Sequence, residues 1–173
     1  MKLKKIKQHT TLIGLTLLVC SFFLVVGVAA ATTIDPTLGH RTPITFGFTN
    51  DYDGTYDRSW YSEDGKLHMR GGGHIGDVWG DLEGTLSYSG DINLIMEPLD
   101  GTGGGILCFT VTYGELSGTF EGRMVIKVAG GYITGMFICH GDGDFEGMKL
   151  KGTCEGAMGG EYSAIATILN PHG

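Results

Sequence analysis

The 173-residue chain has no basic block after its first ten residues, and so lacks the usual footprint of a nucleic-acid partner. It has no Gly-X-Y period despite 31 glycines, which excludes a collagen-like fibre. No apolar pattern of period 3.6 is sustained after Ala31, which argues against long amphipathic helices. Nor is there a Ser-His-Asp order, a Walker loop, a paired-cysteine zinc motif or a helical His-Glu-x-x-His, so the common hydrolase, nucleotide and zinc-protease signatures are missing. Only 18% of residues are charged, whereas 42% are hydrophobic and 10% aromatic. That is too much apolar surface for a disordered chain. The length fits one domain at about 100–200 residues per domain.

The N-terminus reads as a targeting segment. Lys2, Lys4, Lys5 and Lys7 precede an uncharged run from Thr11 to Val28, and Ala29-Ala30-Ala31 offers a small-x-small cleavage site. Residues 1–31 are therefore expected to be a signal peptide. The run is 18 residues, longer than the usual ~7–15 of a signal core and close to the ~17–25 of a membrane span, so it reads equally as a retained anchor. Leu17-Leu18-Val19-Cys20 gives a faint lipoprotein pattern in which Val before Cys fits poorly. In each case the lysines hold the N-terminus inside and send residues 32–173 out, giving a secreted or extracytoplasmic domain that touches a membrane only through this segment. Cleavage after Ala31 leaves 142 residues with all 19 acidic side chains but only 8 basic ones, a net charge of −11. That charge disfavours anionic lipid and DNA.

Beyond Ala31, short runs of period two recur between glycines and Asp-Gly pairs, the signature of hairpin-connected antiparallel strands. Ten candidate strands lie between Pro43 and Leu169, among them Lys66–Ile75, Leu82–Tyr88, Asp91–Met96, Gly118–Val128, Tyr132–Cys139 and Gly147–Glu155. One face of each carries the apolar set: Leu107, Phe109, Val111 and Tyr113; Phe120, Met124, Ile126 and Val128; Met148, Leu150 and Cys154. So many strands in one domain must close or stack to hide their edges, and glycines within strands suit barrel corners. The expected fold is all-β, a single antiparallel β-barrel of about eight strands spanning residues 32–173.

A weak repeat of Gly-acid-apolar-polar-Gly occurs at Gly80–Gly84, Gly114–Gly118 and Gly143–Gly147, each opening a strand after a turn. It reads first as repeated hairpin geometry. Gly118–Arg123 (GTFEGR), Gly141–Gly147 (GDGDFEG) and Met148–Gly156 (MKLKGTCEG) together resemble the allene-oxide-cyclase and dirigent-like barrels. The likeness is nearest to bacterial members with a Gly-x-Gly-x-apolar-x-Gly segment followed by a Gly-Thr strand. The resemblance implies an eight-stranded antiparallel barrel with a central cavity. It covers about a third of the chain, and none of that family's catalytic or ligand-steering residues can be placed on it.

After Ala31 three cysteines remain, Cys108, Cys139 and Cys154, so at least one stays out of any intramolecular pair. A hairpin at Gly130-Gly131 sets Cys139 opposite Gly122 and Phe137 opposite Met124. A hairpin at Gly141–Asp144 sets Cys139 opposite Met148 and Cys154 opposite Ile133. Both thiols then point inward but six residues apart, about 20 Å at 3.3 Å per residue, against the ~7 Å a disulfide tolerates. Cys108 is expected to face outward. No disulfide is expected among the three.

The most polar constellation is Lys66–Ile75. Strict alternation puts His68, Arg70 and His74 on one face, with Leu67, Met69 and Ile75 opposite. At a barrel mouth, Arg70 between two imidazoles could hold a carboxylate or phosphate bidentately; the same pattern also describes the solvated face of a half-buried strand. Zinc fits less well, because His68 and His74 are about 20 Å apart on a straight strand, although a bend at Gly71–Gly73 would shorten that. Asp51, Asp53 and Asp57 alternate around Gly54 as hard oxygen donors for calcium do, but Ser62 stands where an EF-hand needs its bidentate Glu, and a plain Asp-Gly turn accounts for them equally. His140, Asp142, Asp144 and Glu146 read as a turn beside a titratable imidazole. Trp60, Trp79 and Tyr61 are candidate stacking or rim aromatics.

The expectation for function is an exported, non-catalytic barrel holding a small apolar molecule inside, with calcium as the one cofactor the sequence hints at. A structural, self-associating cell-surface barrel is the alternative. A cyclase- or isomerase-like enzyme is implied only by the resemblance.

Overall fold

The computed structural model describes residues 38–52 and 56–173. The lysine-led leader and the Asp53-Gly54 turn lie outside these residues. The described chain is all strand and turn: β1 (Arg41–Thr49), β2 (Asp51–Tyr52), β3 (Arg58–Tyr61), β4 (Lys66–Gly80), β5 (Glu83–Ile95), β6 (Asp100–Tyr113), β7 (Leu116–Ala129), β8 (Tyr132–Gly143), β9 (Lys149–Ala157) and β10 (Glu161–Leu169). Every pairing is antiparallel, in the order β1-β10-β9-β8-β7-β6-β5-β4. Phe46–Phe48 then pair with Val78–Gly80, which closes an eight-stranded ring. β2 and β3 lie along the rest of β4, where β1 does not reach.

Alternation decides what fills the ring. Inward-facing Phe46, Phe48, Phe109 and Phe137 meet in the middle, with Phe46 and Phe109 edge to face at 5.5 Å between centroids and Phe109 and Phe137 at 5.7 Å. Leu107, Phe120, Val128, Leu150 and Ile168 complete a core with no buried charged side chain among the described residues. Large rings need small partners on neighbouring strands. Gly122 faces inward between Phe120 and Met124, and a methyl group there would overlap the carbonyl oxygen of Ile138 and sit 2.5 Å from the Cα of Cys139. The backbones of β7 and β8 are that close because the position has no side chain.

One end of the barrel is plugged by the repeat. Asp81 Oδ2 accepts the Thr45 amide at 2.6 Å, and its own amide donates to Thr45 O at 3.0 Å. Asp144 does the same to Ser117, at 2.9 and 3.1 Å. Each aspartate thus pins a turn to the neighbouring strand, and the next residue, Leu82 or Phe145, dives into the core with no exposure. Phe145 stacks on Phe120 at 4.5 Å. The third copy keeps only the apolar contact, through Leu116.

Two expectations need correcting. The runs Leu82–Tyr88 and Asp91–Met96 are one continuous strand, β5, because Ser89 and Gly90 stay in the ladder opposite Ile106 and Gly105. The β7–β8 register is as expected, with Cys139 opposite Gly122 and Phe137 opposite Met124. The β8–β9 register is shifted by two: Cys139 faces Leu150 and Cys154 faces Gly135. The inward plunge of Phe145 lengthens the turn without changing which face is buried. The thiols are then four residues apart along the strands, about 13 Å at 3.3 Å per residue, still beyond a disulfide. All three cysteines are free, Cys139 and Cys154 buried and Cys108 half-exposed on the outside.

The close approach at Gly122 is directly testable. Gly122→Ala should lower unfolding free energy by about 1–3 kcal/mol, the range for overpacking a filled interior. A urea midpoint unchanged within the ~0.5 kcal/mol typical of surface substitutions would show that the two backbones do not touch there.

Candidate functional site

β4 does not alternate strictly. Met69 pairs with Ile92 and Gly72 with Gly90, so two residues of β4, Arg70 and Gly71, stand against Asp91 alone. This is a β-bulge, and Gly71 supplies its left-handed residue at φ 69°. Asp91 clamps it: Oδ1 accepts the Gly71 amide at 3.1 Å, and Oδ2 lies 3.4 Å from Arg70 Nε. Arg70 Nη1 donates to Met69 O at 2.9 Å and Ile92 O at 3.3 Å, and Nη2 to Asn93 Oδ1 at 2.9 Å. Three guanidinium N–H groups are thus hydrogen-bonded at the bulge, and Nε faces Asp91 as an ion pair. Arg70 acts here as a strand clamp, its guanidinium turned to Asp91, Asn93 and two strand carbonyls.

The bulge also separates the three residues expected on one face. His68 stays outside with Arg70, its Nδ1 2.6 Å from Asn93 Oδ1 and its Nε2 3.1 Å from Ser62 Oγ. It stacks on Trp60 at 5.0 Å, and Trp60 also carries Arg58 at 4.6 Å and Arg70 at 5.2 Å from its ring centre. Trp60 therefore fastens β3 to the outside of β4. Past the bulge the parity flips: Ile75 is 64% exposed, and His74 turns inward between Tyr52 (5.2 Å) and Tyr88 (5.6 Å).

His74 so joins a cavity of about 200 Å³ at the end of the barrel opposite the plug. Its floor is apolar, from Leu94, Met124, Ile126 and Ile133. Its rim is aromatic and polar, from Asn50, Tyr52, Tyr56 and Tyr88, and Tyr52 packs on Tyr56 at 4.7 Å. Burial, with help from the nearby Asp91 carboxylate, pushes the Tyr88 hydroxyl up to about 12. At neutral pH it is a donor, not a base. Cys154 also lines the cavity, its Sγ 4.0 Å from Met124 Sδ. Burial holds this thiol near 11 and that of Cys139 near 12, so neither is a thiolate nucleophile at neutral pH. Sequence reasoning missed Asn50, Tyr52 and Tyr88. Asn50 was legible as the next inward position after Phe46 and Phe48.

The remaining candidates are dispersed. Asp51 sits exposed in β2 opposite Ile75, and the amide of Asp57 donates to Arg70 O at 3.0 Å. Asp53 lies outside the described residues. Among the described residues no three His, Cys, Asp or Glu side chains are grouped to hold a metal ion. His140 is exposed on the outer face of β8 and Asp144 is spent on the plug. Tyr61 is exposed, and Trp79 lies across Gly47 on the outside.

No protein-family model matches the chain, and no curated protein matches it in sequence. The cavity is thus read from its own chemistry: open at one end, apolar below, and hydrogen-bonding above with the Asp91 carboxylate at its edge.

The buried hydroxyl makes stability depend on alkaline pH. The folded state holds the Tyr88 proton more tightly than an unfolded chain titrating near 10, so the contribution is whole below pH 10 and is lost as pH rises towards 12. Cys139 and Cys154 act in the same direction from pH 9 upward. Denaturation midpoints should fall between pH 9 and 12, and Tyr88→Phe should flatten the part above pH 10. An identical slope in the variant would mean that Tyr88 ionises in the folded protein as freely as in the unfolded chain.

Proposed function

We propose that this chain is an exported barrel that binds, without chemistry, one small apolar molecule in the cavity at its open end. The observation that carries this is the cavity itself: about 200 Å³, walled by Leu94, Ile126, Ile133 and three methionines in a barrel otherwise filled by aromatic rings. Dry apolar cavities of ~150 Å³ take up benzene-sized guests, so the occupant here has no more than roughly a dozen non-hydrogen atoms. This is smaller than the glycine content suggests, because the Phe cluster occupies the rest. Export rests on the Lys2–Lys7 cluster and the Thr11–Val28 run, which would release the domain outside the cell or tether it there. The likeness to allene-oxide-cyclase and dirigent-like barrels adds a precedent for an eight-stranded barrel with an interior site. It is also the whole support for a cyclase- or isomerase-like activity. Native mass spectrometry of protein from its own host should show a small organic adduct, absent from an Ile133→Phe variant in which the added ring fills the floor. Adduct-free protein, with no stabilisation of the wild type by any small aromatic, would remove the reading.

A second reading, self-association, has its own observation. Val125, Met136, Ile138 and Ile165 are 50–69% exposed on the outer face of β7, β8 and β10. They flank one another through the register Val125–Met136–Thr153–Ile165. The closed ring leaves little free strand edge, so a second copy would dock on this face, not along an edge. If it does, sedimentation should give a dimer that Ile165→Lys converts to monomer. A wild-type monomer at high concentration would discard it.

A further inference from the structure

Asn50 brings a side-chain amide to the wall of the cavity. It follows Thr49 at the end of β1 and continues the inward series Phe46, Phe48. Among the described residues its Oδ1 is buried without a hydrogen-bond donor, and a buried acceptor in that state costs about 1–3 kcal/mol. The side chains sharing the cavity offer rings (Tyr52, His74, Tyr88) and thioethers (Met69, Met124, Met158), both good neighbours for a flat π-system.

Building on the binding-barrel reading, we propose that the cavity selects a small, flat, uncharged molecule with a single N–H or O–H group, which it donates to Asn50 Oδ1. Charge is excluded on both sides. An anion would meet the Asn50 oxygen and the Asp91 carboxylate, and the Arg70 guanidinium is turned to the bulge. A cation would surrender its hydration for Asp91, a carboxylate already shared between Arg70 and the Gly71 amide. A molecule with no donor would fill the floor and leave the Asn50 oxygen as it is. The amide orientation matters, since turning it over would present Nδ2 and select an acceptor instead.

Three fused-ring isosteres separate these cases by calorimetric titration of the folded domain. Indole has an N–H donor, benzofuran only an acceptor oxygen, and indene neither. Indole should bind about tenfold more tightly than the other two, the effect of one net hydrogen bond of about 1.4 kcal/mol. Asn50→Leu should abolish that difference. Equal affinity for all three in the wild type would overturn the donor proposal and leave the binding barrel standing. A preference for benzofuran over indene equal to that for indole would overturn it by showing Nδ2 at the cavity, and tighter binding of protonated benzylamine would overturn the exclusion of charge. If none of the probes bound at millimolar concentration, and Ile133→Phe changed nothing, the binding-barrel reading itself would fall. The wild-type series decides the matter even if Asn50→Leu does not fold.

Discussion

A single extra residue in β4 determines what the barrel's mouth is made of. Without the bulge at Arg70–Gly71, the period-two rule would carry His68, Arg70 and His74 along one outer face and turn Ile75 into the interior. With it, His68 and Arg70 stay outside, where Asn93, Asp91 and Trp60 engage them, and the His74 imidazole enters among tyrosines. Asp91 is central because it serves both halves of the bulge, the Gly71 amide and the Arg70 guanidinium. Burial raises Tyr88 at the rim, and the same carboxylate adds to that effect. Backbone geometry, outer ion pairing and the protonation of the cavity wall therefore share one residue.

The second constraint is volume. Eight strands enclose just enough space for side chains or for one small guest, and this chain does both at different depths. Towards the plugged end, Phe120, Phe145 and Leu82 leave nothing open. At mid-height, Phe46, Phe109 and Phe137 interlock against inward glycines such as Gly122. Only past Phe48 and Tyr162, stacked at 5.1 Å with an interplanar angle of 9°, does the lining thin to aliphatic and thioether groups. The cavity begins where the stacked rings end.

Most of this fold was legible because its signals are local. Alternation assigned the inner faces of β6, β7 and β9, and paired glycines located the hairpin at Gly130-Gly131, which fixed the β7–β8 register. What escaped was wherever one residue changed the count. Phe145 looked like part of a turn and is a core residue, so the β8–β9 register was off by two. Ser89-Gly90 looked like a break and is strand, since a partner ladder on each side outweighs a glycine's weak preference. The site suffered most, because its membership depends on parity on both sides of the bulge. Gly71-Gly72-Gly73 marked the place, but three consecutive glycines do not say which of them bulges. That choice required Asp91 on the neighbouring strand, a partner 20 residues away in sequence.

Strand lengths explain why the opening lies where it does. β4 has 15 residues and β1 only nine, and the two share just Phe46–Phe48 with Val78–Gly80 near the plugged end. The remaining stretch of β4 must find other partners for its backbone amides and carbonyls. Asp51 and Tyr52 take one part of it and Arg58–Tyr61 another. The register runs unbroken from Phe48↔Val78 to Asp51↔Ile75, which sets Asn50 opposite Gly76, a residue with no side chain to offer it a donor. An acceptor buried at that junction follows from ending β1 at Thr49 while β4 runs on to Lys66. Mouth, polar rim and open acceptor are in this sense one consequence of two strands of unequal length closing the same ring.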